Sequence, residues 1–384
     1  MSFPLLLMSR PPRNALAAVV GLLLAACGSD GGPASPLPTL VAVGRQERGA
    51  TVRMVARNGA SESDSTVSNV TVTPAAAGTV NGASVKLLQA GSVTVGATAS
   101  DGRVITATLT VAAPPTVFFD GIVAGNRDIY SIALDGGDLK RWTTAAAEDS
   151  HPTVAGGVLV FSSTRDGNGE LYSISTAAGS AEKRLTTTAA NETQPALTAS
   201  GASLAYVSDV IGVPRIYVGS AALASAARLT AASFGFGGSI ETDPTWSPTG
   251  DRIALMSTTN GSANLFISPS AAGSTPLAVA GSGSQQTDVE PSWGPDPNLI
   301  AFASTRAGGT LIFVLDLRTG AFRQVAQATG TSGQPGWLPD GRLLFTTFAG
   351  GESTLWYVDP ADTAPAVQIP TGTRSPAHPI GARP

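Results

Sequence analysis

The sequence predicts an all-β protein in which a small β-sandwich precedes a six-bladed β-propeller. Two observations support this fold class. The 384 residues include 44 glycines and 27 prolines and only 13% are charged, a composition that favours short strands and turns over long exposed helices. In addition, a group of short motifs recurs six times in order along residues 116–384, and a period of about 40–50 residues with four short strands per copy is typical of propellers.

Charge and cysteine content exclude several classes of function. The net charge is −4, which argues against a nucleic-acid partner, because phosphates bind to basic surfaces. A single cysteine is too few for an internal disulfide, a cysteine zinc cluster or an iron–sulfur site. The sequence also contains no Gly-x-Ser-x-Gly elbow, phosphate-binding loop or dinucleotide-binding glycine pattern.

Residues 1–26 have the pattern of a secretory signal, with two arginines before an apolar run, Ala15 to Ala26, that is too short to span a bilayer. The run ends in Leu-Ala-Ala followed by Cys27, the sole cysteine. This segment resembles the lipobox of bacterial lipoproteins, which implies that Cys27 is lipidated and anchors the chain in the cell envelope. Because Gly28 rather than Asp follows, the resemblance implies the outer membrane, with its periplasmic and surface faces both left open. The alternative is an ordinary signal with a chance cysteine.

Two segments separate this signal from the repeats. Residues 27–38 are rich in Gly, Ser and Pro and predict a flexible linker. Residues 39–113 contain short runs of alternating apolar and polar residues, with hairpin-turn signals at Asn81-Gly82 and Asp101-Gly102, which predicts a β-sandwich. The stretch from Gly91 to Val111 resembles the last hairpin of bacterial Ig-like domains. We expect a spacer here, the alternative being a small adhesion or recognition module.

The repeats occupy residues 114–384. Each copy has an apolar strand such as Ile300-Ala-Phe, an aliphatic–aromatic pair about ten residues later, and a polar residue before a proline; these prolines are 43 to 49 residues apart. The copies that begin at Pro244 and Pro335 look like the TolB-type β-propeller repeat, which implies a six-bladed propeller of that kind. The chain enters on a second strand and leaves on a first strand, so we expect both ends to share one blade and close the ring.

The polar residues before proline are candidates for a ligand or metal site at one mouth of the channel. Period-two spacing along a strand predicts that the acids two residues earlier share their face. The ten candidates are His151, Gln194, Asp243, Glu290, Gln334 and His378, with Asp149, Glu192, Glu241 and Asp288. Closure brings His151 and His378 together, with Asp243 and Glu290 across from them. Imidazole with carboxylate suits a transition metal and clustered carboxylates suit calcium, so a divalent cation is expected here as a candidate cofactor.

Two simpler, purely structural interpretations compete with the assignment of these residues to ligand or metal sites. The polar residues before proline also fit a role in the repeat's own hydrogen bonds. The segment Asp166-Gly-Asn-Gly-Glu170 has a calcium-like spacing, but its glycines favour a hairpin turn, which is the interpretation we expect.

Together these features predict a non-enzymatic cell-envelope lipoprotein, held at the membrane by its lipid anchor, whose propeller binds a protein or peptide partner. The alternative is a metal-dependent carbohydrate-active enzyme of the polysaccharide lyase kind. Some propellers that this repeat resembles act on acidic sugars through His and Gln at the channel mouth, and this sequence offers His151, Gln194, Gln334 and His378. A third interpretation is a purely architectural module.

Overall fold

The structure is a computed structural model that describes residues 38–57, 64–123, 125–235, 238–282, 285–325, 330–361 and 364–382. The predicted signal, Cys27 and residues 28–37 of the predicted linker lie outside the described residues. The chain divides into two compact units, Met1–Pro114 and Pro115–Pro384. Within the described ranges, none of the helices has the length and apolar character needed to cross a membrane.

The first unit consists of short antiparallel strands that form two sheets. In its described part the strands are β1 (Thr39–Val43), β2 (Thr51–Arg57), β3 (Asp64–Ser65), β4 (Val67–Thr73), β5 (Gly78–Asn81), β6 (Ser84–Leu87), β7 (Gly91–Ala99) and β8 (Val104–Val111), with a 3₁₀ turn at Ala75–Ala77. One sheet has the order β1-β2-β6-β5, with β3 paired to β2, and the other has the order β4-β7-β8.

The alternating sequence of this unit gives each sheet one apolar face, and the two faces share a core. Val52, Met54 and Leu87 of the first sheet and Val93 and Val95 of the second are buried in that core. The predicted hairpin turns are present: β5 and β6 pair as far as Asn81 and Ser84, and Gly82 and Gly102 have positive φ angles of 58° and 83°. Glycine adopts this backbone conformation without a steric cost.

The second unit contains, within the described residues, six four-stranded antiparallel sheets. Its strands are β9 (Thr116–Ile122), β10 (Arg127–Ala133), β11 (Lys140–Arg141), β12 (Asp149–Ala155), β13 (Val158–Ser163), β14 (Glu170–Ser175), β15 (Lys183–Arg184), β16 (Glu192–Leu197), β17 (Ser203–Ser208), β18 (Arg215–Ser220), β19 (Ala226–Arg228), β20 (Glu241–Trp246), β21 (Arg252–Ser257), β22 (Asn264–Pro269), β23 (Leu277–Ala278), β24 (Asp288–Trp293), β25 (Leu299–Ser304), β26 (Leu311–Asp316), β27 (Ala321–Gln324), β28 (Thr331–Trp337), β29 (Leu343–Ala349), β30 (Glu352–Val358), β31 (Val367–Ile369) and β32 (Arg374–Gly381).

Sheet 1 has the strand order β11-β10-β9-β32, and sheets 2 to 6 are β12–β15, β16–β19, β20–β23, β24–β27 and β28–β31, each in sequence order. The all-β prediction is therefore confirmed. The first strands of successive sheets contact one another in the order β12, β16, β20, β24, β28 and β32, and β32 contacts β12 in turn.

Both ends of the second unit lie in sheet 1, as the repeat register predicts. The last strand, β32, pairs antiparallel with β9, which is the first strand of the unit, through Ala377 with Asp120 and Ile380 with Phe118. With β10 on its other side, β9 is thereby paired along both edges, and exposed edges are a liability for sheets.

The apolar cores of this unit lie between neighbouring sheets. Trp246 and Trp337 are buried there, and the indole Nε1 of each donates a hydrogen bond to a backbone carbonyl of the preceding sheet, at Ala196 (2.9 Å) and Ser292 (3.0 Å). A buried indole needs such a partner, so each of these tryptophans both fills and orients a contact between sheets.

Candidate functional site

The six polar residues before proline, here named the channel ring, share an unusual backbone conformation. His151, Gln194, Asp243, Glu290, Gln334 and His378 all have positive φ angles between 47° and 55°. At each one the pairing of the first strand with the second strand shifts, as in a β-bulge. Left-handed backbone costs a non-glycine residue about 1–3 kcal/mol and persists only where its surroundings impose it.

Contacts between sheets impose this conformation. Side chains of the channel ring accept hydrogen bonds from the backbone N–H of the next ring residue: Asp243 N–H donates to Gln194 Oε1 (3.0 Å). In the same way Gln334 N–H donates to Glu290 (2.6 Å), and His378 N–H donates to Gln334 Oε1 (3.2 Å). These side chains therefore form hydrogen bonds within the repeat structure itself, joining adjacent first strands, as the purely structural interpretation predicts.

In sheet 1, Asp120 on β9 is the residue that accepts the hydrogen bond from the N–H of a ring residue, His151. It is not among the candidates predicted from the sequence. Asp120 is fully buried, and its Oδ2 accepts from His151 N–H (3.0 Å) and from Nδ1 of His378 (2.6 Å), while its Oδ1 accepts from Arg127. Equivalent positions on the other second strands are Ser162, Val207, Met256, Ala303 and Thr346. The available signal was an acid inside an apolar strand, at a place where the other copies have none.

The two histidines meet, as ring closure predicts. The centroids of the His151 and His378 rings are 3.8 Å apart. Burial, together with the charge of His378, lowers the pKa of His151 to about 3. Burial opposes the charged form of His378 as well, but the charge of Asp120 and its hydrogen bond outweigh that effect and raise the pKa of His378. One imidazole therefore favours the neutral form and its neighbour the charged form.

The pKa values of the three carboxyl groups at the channel ring, those of Asp120, Asp243 and Glu290, are shifted in different directions. Burial favours a raised pKa for Asp120, but the charge and hydrogen bond of His378, the charge of His151 and that of Arg127 lower it. Burial raises the pKa of Asp243 and of Glu290, and the charge of Asp243 adds to the shift of Glu290. Of Asp120, Asp243 and Glu290, Asp120 is thus the one whose charged form is favoured.

The four acids two residues before the channel ring do not join it, so this part of the sequence prediction is wrong. Asp149, Glu192, Glu241 and Asp288 are at most 1% exposed. Their carboxylates contact other side chains of the sheets: Asp149 contacts Arg165, Glu192 contacts Thr188 and Ser208, Glu241 contacts Thr230 and Arg228, and Asp288 contacts Ser304 and Arg306. The bulge is the physical reason, because an extra residue breaks the period-two alternation on which the prediction rested.

A pocket of about 480 Å³ opens beside the histidine pair. Its lining comes from sheets 1, 2 and 6 and the hairpins next to them: Arg127, Glu148, Ser150, His151, Gln334, Phe348, Gly351, Glu352, Ser353, Ser375, Ala377 and His378. The pocket combines an arginine, two carboxylates, several hydroxyls and one aromatic ring, so it offers hydrogen-bonding groups of both kinds.

Exposed apolar side chains lie at this end of the unit, in sheets 1, 3 and 6. The turns that connect second and third strands lie at the end where the channel ring lies, since Asp149 at the start of β12 pairs with Ser163 at the end of β13. Val123, Val210, Ile211 and Phe348 lie at these turns and are 40–54% exposed. We call these four residues the apolar rim. Phe348 also lines the pocket, and the exposure of these side chains could not be derived from the repeat pattern, which describes strands and not turns.

A metal at the channel stays a prediction. Over the described ranges, His, Cys, Asp and Glu side chains do not form a group of three or more suited to hold a metal ion. Both ring nitrogens of His378 are already in hydrogen bonds, Nδ1 with Asp120 (2.6 Å) and Nε2 with Gln334 (3.0 Å), and Nδ1 of His151 lies 3.0 Å from Ser150 Oγ.

Comparison with solved structures gives matches of low sequence identity. TolB from Acinetobacter baumannii matches with a TM-score of 0.61 and 14% identity, covering 77% of this chain and 80% of that chain. A protein described as TolB from Agrobacterium tumefaciens matches with a TM-score of 0.54 and 15% identity, covering 66% and 88%. Hydrazine synthase from Kuenenia stuttgartiensis matches with a TM-score of 0.56 and 12% identity, covering 70% and 47%. At these identities the matches establish the fold alone.

Sequence comparison establishes the family. No curated protein matches the sequence. The profile of the TolB beta propeller domain matches residues 155–267 and 237–375, which together make up more than half of the chain. This range includes sheets 3 to 6 completely and sheet 2 except for most of its first strand. The chain therefore belongs to the TolB beta propeller domain family.

Proposed function

We propose that the protein is a non-enzymatic lipoprotein of the cell envelope, in which a six-bladed TolB-like propeller binds a protein or peptide partner. The lipid on Cys27 anchors the chain to the outer membrane. Residues 39–113 form an Ig-like spacer between anchor and propeller. Sheets 1 to 6 are the blades, and the partner binds at the end of the ring that carries the channel ring.

The observation that carries this proposal is the polar pocket of about 480 Å³ at the same end of the unit as the exposed apolar side chains of the rim. Surfaces that bind proteins combine exposed apolar side chains with neighbouring polar groups. Phe348 contributes to both, since it lines the pocket and is 40% exposed. A polypeptide can place a backbone or polar side chain in the pocket while its apolar side chains cover the rim.

In this proposal, charge is not the main contribution to the affinity of the propeller for its partner. Asp149, Glu192, Glu241 and Asp288 are buried and occupied in other contacts, so four of the six acids among the ten candidates do not line the channel mouth. Arg127 also balances part of the acidic charge at the pocket. We therefore propose recognition by shape and apolar contact, with a modest dependence of affinity on salt.

Site-specific photo-crosslinking in native cells tests this proposal. A photoreactive phenylalanine analogue is placed at Phe348 or at Ile211, and a control is placed at Leu277 on β23, which is 74% exposed and outside the rim. We expect crosslinks to one discrete envelope protein from both rim positions. With that partner purified, Phe348→Asp and Ile211→Asp are expected to weaken binding at least tenfold, and Leu277→Asp to leave it unchanged.

Equal crosslinking from Leu277, or binding that neither rim substitution weakens, contradicts partner binding at this surface. The non-enzymatic part is tested separately, by incubating the metal-supplemented purified protein with acidic polysaccharides. Chain cleavage that is lost in His151→Gln and His378→Gln supports the enzyme alternative instead.

A further inference from the structure

Strand β8 (Val104–Val111) forms one edge of the smaller sheet of the first unit, whose strand order is β4-β7-β8. Its pairing with β7 shows no register shift from Gly91 opposite Val111 to Thr98 opposite Val104, so the strand contains no bulge. Six of its eight residues are β-branched and none is charged. A strand of this composition pairs readily, and natural proteins usually protect such an edge.

Alternate residues of β8 direct their backbone groups away from β7. Ala99 N–H donates to the carbonyl of Arg103 (2.9 Å), which places the odd-numbered residues in the hydrogen bonds between β7 and β8. Ala112, just beyond the strand, faces the other way: its N–H donates to the carbonyl of Gln46 (2.8 Å), and its carbonyl accepts from Arg48 N–H (2.9 Å). The even-numbered residues of β8 share the direction of Ala112; they are Val104, Thr106, Thr108 and Thr110.

The outer edge of β8 is open over most of its length. In the described part of the chain, residues 46–48 cover this edge at Ala112 through a parallel bridge from Glu47, and no strand pairs with it along β8 itself. The even-numbered residues also present exposed side chains, and Val104 is 74% exposed. A row of unpaired N–H and C=O groups of this kind is a template for a further strand.

Other edges among the described residues carry protections that β8 lacks. On the far side of the same sheet, β4 has a register shift between Ser68 and Thr71, and Asn69 has a left-handed φ of 49°. The outer strands β11 and β15 of the second unit each consist of Lys-Arg, and the uncharged outer strands β23 and β31 are two and three residues long. Charges, bulges and short length keep sheet edges from pairing, and β8 has none of them.

We propose that the outer edge of β8 pairs antiparallel with β8 of a second copy of this chain, so that the protein self-associates through its first unit. A twofold axis at Thr106 places Thr106 opposite its own copy and Val104 opposite Thr108. The backbone groups of all these residues point outward, so each facing pair can exchange hydrogen bonds. The β4-β7-β8 sheets of the two copies then form one six-stranded sheet.

The charge and composition of β8 support a second copy as the occupant of this edge. Because the strand is uncharged, pairing with itself brings no like charges together along its length. β-Branched residues that face one another across two strands form favourable pairs. The turn before β8 carries Asp101 and Arg103, and antiparallel order brings this turn toward Glu47 and Arg48 of the other copy. An acid and a base are therefore available on both sides of this contact.

Sedimentation velocity over a series of protein concentrations tests the proposal. The Cys27→Ser protein is used, so that a lipid on Cys27 does not itself cause association. We expect a monomer–dimer equilibrium. Thr106→Lys places two like charges at the twofold axis and is expected to weaken the dimer at least tenfold. The matched control is Thr94→Lys, because Thr94 is exposed on the same sheet but lies on β7, which is paired along both edges; its dimer is expected to be unchanged.

A disulfide gives a second test that does not depend on how a lysine affects the first unit. In the Cys27→Ser protein, Thr106→Cys is the only thiol. Opposite residues of a hydrogen-bonded pair have Cα atoms about 5.5 Å apart, a distance that a disulfide spans. Oxidation is therefore expected to give a covalent dimer from Thr106→Cys and not from Thr94→Cys.

Two results would overturn the proposal. A Cys27→Ser protein that stays monomeric at every concentration, with no covalent dimer from Thr106→Cys, excludes a second copy from this edge. A dimer that Thr106→Lys and Thr94→Lys leave equally strong, with equal thermal melts of both variants, overturns the assignment of the contact to β8.

Discussion

Asp120→Asn is the substitution that most directly tests how the ring of sheets is closed. Asp120 is fully buried and joins three groups from different parts of the unit: Arg127, the N–H of His151 and Nδ1 of His378 on the last strand. Removal of one partner of a buried ion pair costs about 3–5 kcal/mol. Since the Arg127 side chain is 21% exposed and keeps part of its hydration, we expect the lower value, about 3 kcal/mol.

Thermal melting followed by circular dichroism measures this effect. For a unit of this size a loss of about 3 kcal/mol lowers the Tm by roughly 5 °C. The matched control is Asp316→Asn, because Asp316 forms an ion pair with Arg318 at the surface, where such pairs contribute little, and its Tm is expected to stay close to that of the wild type.

The pH dependence of the Asp120→Asn effect follows from the pKa of Asp120. This pKa is lower in the folded protein than the ordinary value of 3.8, so the stabilisation is complete above pH 3.8 and is lost as the pH falls through the folded value. The difference in Tm between wild type and Asp120→Asn is therefore expected to shrink only in strong acid. An Asp120→Asn protein that melts within 1 °C of the wild type at pH 7 would refute the role of Asp120 in closure.

Three further predictions concern the histidine pair, the last strand and the anchor. The pKa of His151 is about 3 in the folded protein, against 6.5 ordinarily, so the wild type loses stability as the pH falls below 6.5. His151→Gln introduces the residue type that the next repeat has at Gln194. In thermal melts between pH 7 and pH 4 this variant is expected to lose less stability than the wild type. Deletion of residues 374–384 removes β32 and is expected to abolish the cooperative melting of the second unit, whereas retention of the wild-type Tm would contradict closure. Cys27→Ser is expected to move the protein from the membrane fraction to the soluble fraction, and continued membrane association would argue against the lipid anchor.

Several predictions from the sequence are confirmed because they rest on local patterns. The repeated apolar motifs correspond to second strands, as with β25 at Leu299–Ser304, and the aliphatic–aromatic pairs lie on third strands, as with β26 at Leu311–Asp316. The order of the motifs also fixes which strand begins and which strand ends the unit. Pairing of β32 with β9 and the approach of His151 to His378 follow from that order alone.

The faces of the first strands were predicted less well. The period-two rule assigned Asp149 and His151 to one face, but the bulge at His151 separates them, so that Asp149 contacts Arg165 and His151 contacts Asp120. A left-handed residue before proline is not visible in a pattern of polar and apolar residues, because it is imposed by the adjacent strand. Of the ten residues predicted at the channel mouth, only the six before proline form the channel ring.

The amino-acid sequence by itself determined the all-β architecture, the six copies and the polar residue that precedes each proline, since composition, alternation and turn residues act over a few neighbouring positions. The tertiary structure decided which charged groups meet. Asp120 and His378 are 258 residues apart in the sequence and are joined at 2.6 Å, and Asp149 and Glu192, which occupy the same place in two repeats, have different partners. Contacts of this kind depend on how sheets pack against one another, and packing between distant segments is not encoded in the local period of either segment.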